Sequence, residues 1–239
     1  MSGHSKWSTI KRKKGAADAK RGVIFTRLSK DISLAARQGG GDIDMNPSLR
    51  LAVKKAKLAN MPSANIDRAI KKGTGDLPGV KFEDFEYEGY GPNSVAILIE
   101  VMTDNKNRTL PEIRSIMTKN GGNLGESGCV NWMFERKGVL SVKLSDVTED
   151  GLMDILVNVD VDDINVDDEF YEIITKPEDF QEINSLLEKN EIQFEGEVSL
   201  VPQNLIQLSI EEADKVVKLL ELIENHDDVQ KVHTNFEVA

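Results

Sequence analysis

A short segment rich in glycine and proline, GTGDLPGV (Gly73 to Val80), most constrains the fold, because the charge of the chain changes sign there. Residues 1–80 contain 17 Lys and Arg against 6 Asp and Glu, a formal charge of +11, whereas residues 81–239 contain 13 against 35, a charge of −22. Clusters of Gly and Pro interrupt regular structure, and a change in composition at the same place is an independent sign of a linker. We therefore predict a basic N-terminal part and an acidic body that fold as separate units.

The basic part predicts an arm followed by three short helices. Residues 1–22 hold few large apolar groups, so we expect a flexible arm that becomes ordered on a partner. Trp7 in this arm either packs against its own domain or stacks on a base. Apolar residues at helical spacing predict helices over residues 23–38, from an Asn46 cap to just before Pro62, and from a Ser63 cap to Lys72 with Gly73 as the C-terminal stop.

The acidic body predicts alternating strands and helices. Strands are expected over residues 84–88, 95–103 and 129–134, and a capping box of Thr109 with Glu112 opens a helix that ends at Lys119. Residues 139–200 then alternate as strand, helix, strand, strand, helix and strand, which is a complete βαββαβ unit. A helix over residues 210–224, capped by Ser209 with Glu212, and a strand over residues 229–238 supply two elements that the first set lacks.

The predicted fold class is therefore α+β, with an N-terminal three-helix basic domain plus two ferredoxin-like α/β domains, one inserted into the other. The predicted limits are residues 1–22 for the basic arm, 23–76 for the helical domain, 80–135 with 203–239 for the first α/β domain, and 136–202 for the inserted domain.

Motifs for catalysis and metal binding are missing from the sequence. The three histidines, His4, His226 and His233, lie far apart, and a single cysteine, Cys129, cannot form a disulfide or a Cys-rich metal site within one chain. No glycine-rich turn continues into Lys and Ser or Thr, as the phosphate-binding loop of NTPases does. We therefore predict no enzymatic activity, no metal and no cofactor. Because no apolar run could span a bilayer and no secretory signal is recognisable, we expect a cytoplasmic protein without a membrane partner.

The glycine-rich segment NGGNLGESG (Asn120 to Gly128) has two interpretations. Its backbone amides could approach a phosphate, or it is a mobile connection between a helix and a strand. Its composition favours the connection, and both interpretations stay open on the sequence.

Several strings along the chain form a recognisable pattern. They are GHSKW (Gly3 to Trp7), IKRKKGAADAKRG, IFTRL, LAARQGGGD (Leu34 to Asp42), NPSLRLAVKKAKLANMP (Asn46 to Pro62), YEGYGPN (Tyr87 to Asn93), DNKNRT (Asp104 to Thr109) and KNGGNLGESG (Lys119 to Gly128). Together they resemble the YebC/PmpR family. The resemblance implies a helical N-terminal domain followed by two α/β domains around a cavity, one of them inserted in the other.

The resemblance also implies a nucleic-acid function. Family members have been treated as DNA-binding transcriptional regulators. Similar proteins, including mitochondrial translational activators, act at ribosomes, where relief of stalling on proline-rich nascent chains has been attributed to them.

Three functions follow from the charge pattern and the resemblance. The leading hypothesis is a factor that docks electrostatically on ribosomal RNA and relieves translational stalling. The first alternative is a transcriptional regulator that binds duplex DNA, and the second is a ligand-sensing or protein-interaction module that uses the cleft between domains. The predicted nucleic-acid-binding residues are Lys6, Trp7, Lys11, Arg12, Lys13, Lys14, Lys20, Arg21, Arg27, Arg50, Lys54, Lys57, Arg68 and Lys71.

Overall fold

A computed structural model describes residues 21–77, 82–166 and 169–238, with side chains from residue 25 onwards. The helices are α1 (Arg21–Gly39), α2 (Pro47–Leu58), α3 (Ser63–Thr74), α4 (Lys106–Lys119), α5 (Glu149–Leu156), α6 (Phe180–Lys189) and α7 (Ile210–Glu224). The strands are β1 (Glu83–Tyr90), β2 (Ala96–Thr103), β3 (Asn123–Leu124), β4 (Phe134–Lys143), β5 (Asp163–Val166), β6 (Phe170–Thr175), β7 (Phe194–Pro202), β8 (Ile206–Leu208), β9 (Val229–Thr234) and β10 (Phe236–Val238). The predicted α+β fold class is confirmed, and within the described ranges no helix is long and apolar enough to cross a bilayer.

The three N-terminal helices form one unit around a shared apolar core. Asn46 caps α2 as predicted: its side-chain oxygen accepts a hydrogen bond from the backbone N of Leu49 at 3.0 Å. The same side chain donates to the carbonyls of Ala35 and Gly40, so the cap also fixes the loop that precedes α2. The buried core of the unit includes Ile32, Leu49, Val53, Ile66 and Ala69.

The predicted ends of α3 are wrong at both termini. Pro62 occupies the cap position, where no side chain makes a cap hydrogen bond, and Ser63 is the first helical residue. Gly73 lies inside the helix. The residue is a glycine because a Cβ atom there would be 2.2 Å from the carbonyl oxygen of Ser33 on α1. The glycine thus permits close packing of two helices, and Gly75, with a φ of 79°, is the left-handed residue that closes α3.

The first α/β unit is an antiparallel sheet in the order β3-β1-β2-β9, covered by α4 and α7. The capping box of Ser209 with Glu212 opens α7 as predicted. The single strand predicted over residues 229–238 is divided at Asn235, whose side chain accepts a hydrogen bond from the backbone N of Ala96 at 2.8 Å. Its second half, β10, pairs in parallel with β8.

Two further predictions in this unit are wrong. Helix α4 begins at Lys106, because the Asn105 side chain caps it by accepting a hydrogen bond from the backbone N of Arg108 at 3.1 Å. Thr109 therefore lies inside the first turn, where its hydroxyl donates to the buried carboxylate of Asp228. Residues 129–134 do not form a strand: Asn131–Met133 is a 3₁₀ turn, and β4 begins only at Phe134.

The inserted unit is an antiparallel sheet in the order β5-β6-β4-β7, with α5 and α6 packed on it. Numbered within the unit, this order is 2-3-1-4, the arrangement of a ferredoxin-like βαββαβ fold. A small apolar cluster joins the two sheets through Leu98 of β2, Phe134 of β4 and Leu200 of β7. The residue limits proposed for the separate domains stay a prediction.

Candidate nucleic-acid interface

Helix α2 has a buried apolar side and an exposed cationic side. Its buried residues are Leu49, Ala52, Val53 and Ala56, and its sequence, PSLRLAVKKAKL, contains no acidic residue. Lys54, Lys55 and Lys57 are exposed, and none of them makes an ion pair with a residue that the structure describes. We call these three lysines the α2 lysines. They form a cationic surface that is open to a partner.

Arg50 shares this side of α2 but is already engaged in the fold. Its guanidinium donates from Nε to the carbonyl of Ile43 at 3.1 Å and from one terminal nitrogen to the carbonyl of Asp44 at 2.5 Å. Arg50 therefore holds the loop before α2, and its positive charge remains at the surface.

The other predicted cations are distributed over α1 and α3. Arg27 is exposed on α1, and Arg68 and Lys71 are exposed on α3. Arg68 faces a cavity between the helical unit and the first α/β unit, so the structure does not place it on the outer side of α2. Eight predicted side chains lie outside the described residues: Lys6, Trp7, Lys11, Arg12, Lys13, Lys14, Lys20 and Arg21.

Two cations that the sequence did not single out hold the helical unit on the α/β body. Nζ of Lys30 donates to the carbonyls of Glu224 and His226 at 2.5 and 2.6 Å, at the C-terminal end of α7. A cation is favourable there because the last carbonyls of a helix carry partial negative charge. Arg37 pairs with the carboxylate of Asp84. The basic charge of α1 is thus used partly for packing.

The cavity between these units has a volume of about 890 Å³ and carries charges of both signs. It is bounded by α1 and α3 on one side, and on the other by the segment that links β2 to α4 and by the turn between α7 and β9. Its charged lining residues are Lys30, Arg68, Lys72, Asp104, Arg108, Glu112, Asp227 and Asp228.

Asp228 is the centre of a hydrogen-bond network at one wall of this cavity. Its Oδ2 accepts from the hydroxyl of Thr109 at 2.6 Å, from Arg108 at 2.7 Å and from the hydroxyl of Thr103 at 3.1 Å. Burial by itself would raise the pKa of Asp228, but these three donors outweigh it and hold the pKa below its ordinary value. The network joins β2, α4 and the turn before β9 at a single carboxylate.

Lys72 reaches the same cavity from α3. Its Nζ lies 4.9 Å from the centre of the Phe82 ring, a cation–π contact. Burial lowers the pKa of Lys72, and the negative charges of Asp228, Asp227 and Asp104 act in the opposite direction. A partly desolvated lysine in a cavity is a candidate site for a small anion, but no spacing in the sequence could reveal it, since the lining comes from distant segments.

A carboxylate of the chain itself occupies the amide at the end of the glycine-rich segment, that of Gly128, and two amides just after it. The Glu88 carboxylate accepts from the backbone N of Gly128 at 2.6 Å, of Val130 at 2.7 Å and of Asn131 at 2.8 Å. Burial tends to raise the pKa of Glu88, but these three donors lower it below its ordinary value. The chain's own carboxylate therefore fills this group of amides and holds the turn that precedes β4.

One lysine of the exposed surface was missed by sequence reasoning. Lys55 lies between Lys54 and Lys57 and is equally exposed. Its position directly after Lys54 in the basic segment KKAK (residues 54–57) was a sufficient signal.

Fold and site together define a class of protein: a basic helical unit docked through a few cationic contacts on an acidic body of two α/β units. The family model for the TACO1/YebC N-terminal domain matches residues 5–76, and the model for the TACO1/YebC second and third domain matches residues 82–236. The chain belongs to the TACO1/YebC family.

Individual relatives are similar over the whole chain. A protein of Halothermothrix orenii is 52% identical over 242 residues, covering 100% of this chain and 96% of its own length. A protein of Geobacter sulfurreducens is 51% identical over 240 residues, covering 100% and 97%. Both are named "probable transcriptional regulatory protein", which supports a regulatory role for the family. The crystal structure of a conserved hypothetical protein from Aquifex aeolicus, 44% identical, matches with a TM-score of 0.76 over 93% of this chain and 92% of that one.

Proposed function

We propose that the protein is a nucleic-acid-binding regulatory protein without enzymatic activity of its own. The observation that carries this proposal is the outer side of α2, where the α2 lysines stay exposed and unpaired with any described residue although the chain contains 41 acidic residues. Contacts between lysines and phosphates release counterions and give affinity for any polyanion. The basic arm at residues 1–22 adds to the same charge.

Docking on ribosomal RNA is the more specific form of this proposal. Lysine neutralises phosphates regardless of base sequence, and α2 contains no Asn or Gln that could read the edges of bases. A protein held by such contacts acts by positioning. In this form the arm, with Lys11, Arg12, Lys13 and Lys14, biases geometry at a ribosomal reaction centre and relieves stalling, while the chemistry remains that of the ribosome.

Regulation of transcription through duplex DNA is the second candidate. The names of the relatives favour it. The α2 surface suits the phosphates of duplex DNA as well as those of RNA, so a protein that uses it on DNA has weak sequence specificity unless other residues read the bases.

Ligand sensing at the cavity is the third candidate. The cavity of about 890 Å³ has the size of a small-molecule site and includes the partly desolvated Lys72. Such binding depends little on salt, which separates it from the two polyanion functions.

Sedimentation with ribosomes at several salt concentrations tests the proposal, together with a gel-shift competition between ribosomal RNA and duplex promoter DNA. Cosedimentation that salt abolishes, with preference for RNA, supports the translation factor. Specific retention of promoter DNA without ribosome binding supports the transcriptional regulator. Absence of binding to either polyanion at low salt would contradict both.

A further inference from the structure

Helix α2 exposes an apolar stripe as well as its lysines. The side chain of Leu51 is 55% exposed and that of Leu58 is 75% exposed. The two residues are seven apart, so they lie on one line along the helix, with Lys54 and Lys55 on either side of that line. Single exposed leucines are ordinary, but two in line between unpaired cations form a face with a defined chemistry.

Helix α5 of the inserted unit carries a face with the opposite charge. The side chains of Met153 and of Val157, the residue directly after the helix, are one turn apart and are 51% and 73% exposed. Asp150 and Asp154 lie beside them, are exposed, and make no ion pair with a described residue. The helix contains three acidic residues and no basic one. It therefore presents an apolar pair bordered by negative charge.

The two faces complement each other but do not cover each other within one chain, because all four apolar side chains are exposed in the same structure. We propose that the α2 face of one copy docks on the α5 face of a second copy. Leu51 and Leu58 then pack against Met153 and Val157, and the lysines beside the leucines meet the two aspartates. An apolar centre with a charged rim is the usual anatomy of a protein interface.

The geometry of this contact predicts how the assembly behaves. Because two different patches meet, the interface is heterologous, and each copy keeps one free α2 face and one free α5 face for further copies. The patches are small, so the association is weak and depends on concentration. Lys54 and Lys55 serve both the second copy and a polyanion, so the two occupants exclude each other. The self-association itself does not rest on the proposed function.

Sedimentation velocity of the full chain, without nucleic acid, tests the proposal. At about 50 mM salt we expect the weight-average sedimentation coefficient to rise between about 5 and about 200 μM protein, and the rise to disappear at about 500 mM salt. Charge reversal by Lys54→Glu with Lys55→Glu, or by Asp150→Lys with Asp154→Lys, weakens the association at least about tenfold. Glu182→Lys with Glu188→Lys, at exposed positions of α6, is the charge-matched control for the aspartate reversal, and Lys215→Glu with Lys218→Glu, at exposed positions of α7, is the control for the lysine reversal; both leave the association intact.

A mixture of the two reversed variants gives the sharpest result. Each variant alone opposes like charges, whereas in the mixture the reversed α2 face of one meets the reversed α5 face of the other. We expect the mixture to associate as the wild type does. A wild type that stays monomeric at low salt, an association that survives both reversals, or a mixture that is not restored would each overturn the proposal and leave the α2 face to polyanions alone.

Discussion

The cations of the helical unit fall into two groups that differ in what they contact. On the side of α1 that faces the α/β body, Lys30 donates to two carbonyls at the end of α7, and Arg37 pairs with Asp84. On the outer side of α2, the α2 lysines meet no described acid. Basic composition alone therefore does not locate a binding surface, because some cations hold the units together and others remain for a partner.

The largest expected effect concerns the unpaired group. If α2 and the arm together neutralise about six to ten phosphates, affinity for RNA falls by about three to five decades between 50 and 200 mM salt. Fluorescence anisotropy with a labelled ribosomal RNA fragment measures this fall. An affinity that does not change with salt would show that the α2 lysines do not bind phosphates, and it would favour ligand binding at the cavity.

The next effect concerns a network that holds the body together. Asp228→Ala removes the buried carboxylate that the Arg108 guanidinium and two threonine hydroxyls share as an acceptor, so we expect a loss of about 3 kcal/mol in the free energy of unfolding. Urea denaturation measures the loss. Asp227→Ala is the control, because this neighbouring residue is exposed. Equal losses in the two variants would show that the network does not carry the stability.

The same network predicts a dependence on pH. Because the folded-state pKa values of Asp228 and Glu88 are lowered, their contribution to stability is complete above the unfolded pKa of about 4 and is lost as the pH falls through the folded pKa. Urea denaturation between about pH 6 and pH 3 should show a shallower decline for Asp228→Asn than for the wild type. Parallel declines would contradict the assignment.

A smaller effect belongs to Lys30. Lys30→Met keeps most of the apolar stem and removes the charge from the end of α7, so we expect a loss of about 1 kcal/mol in the free energy of unfolding. The affinity for RNA should not change beyond about twofold, since Lys30 faces the body rather than solvent. A large loss of affinity with unchanged stability would place Lys30 in the unpaired group.

The sequence predicted those parts of the fold that local chemistry controls. The Asn46 cap and the Ser209 and Glu212 capping box were both correct, because each depends on residues within a few positions. The alternation of strands and helices over residues 139–200 was also sufficient to predict the ferredoxin-like strand order of the inserted unit.

The errors arose where distant residues compete for a local group. Thr109 has the spacing of a cap, but Asn105 caps α4, and the Thr109 hydroxyl, inside the first turn, donates to Asp228, 119 residues away. The amides of Gly128, Val130 and Asn131 donate to Glu88. Gly73 permits close packing against the carbonyl of Ser33 and does not end a helix. In the same way the sequence could list cations but could not separate Lys30 and Arg37, which hold the fold, from Lys54 and Lys57, whose role in binding stays a prediction.

The most direct test of the central claim compares two pairs of lysines for their effect on RNA binding. Lys54→Glu with Lys57→Glu reverses two charges on α2, and Lys215→Glu with Lys218→Glu reverses two exposed charges at the same spacing on α7. We predict that the α2 pair lowers the affinity for ribosomal RNA at least about tenfold, that the α7 pair changes it by less than about twofold, and that both pairs alter the free energy of unfolding by less than about 0.5 kcal/mol. Equal losses of affinity in both variants, or no loss in the α2 variant, would show that the α2 lysines are not the RNA-binding surface.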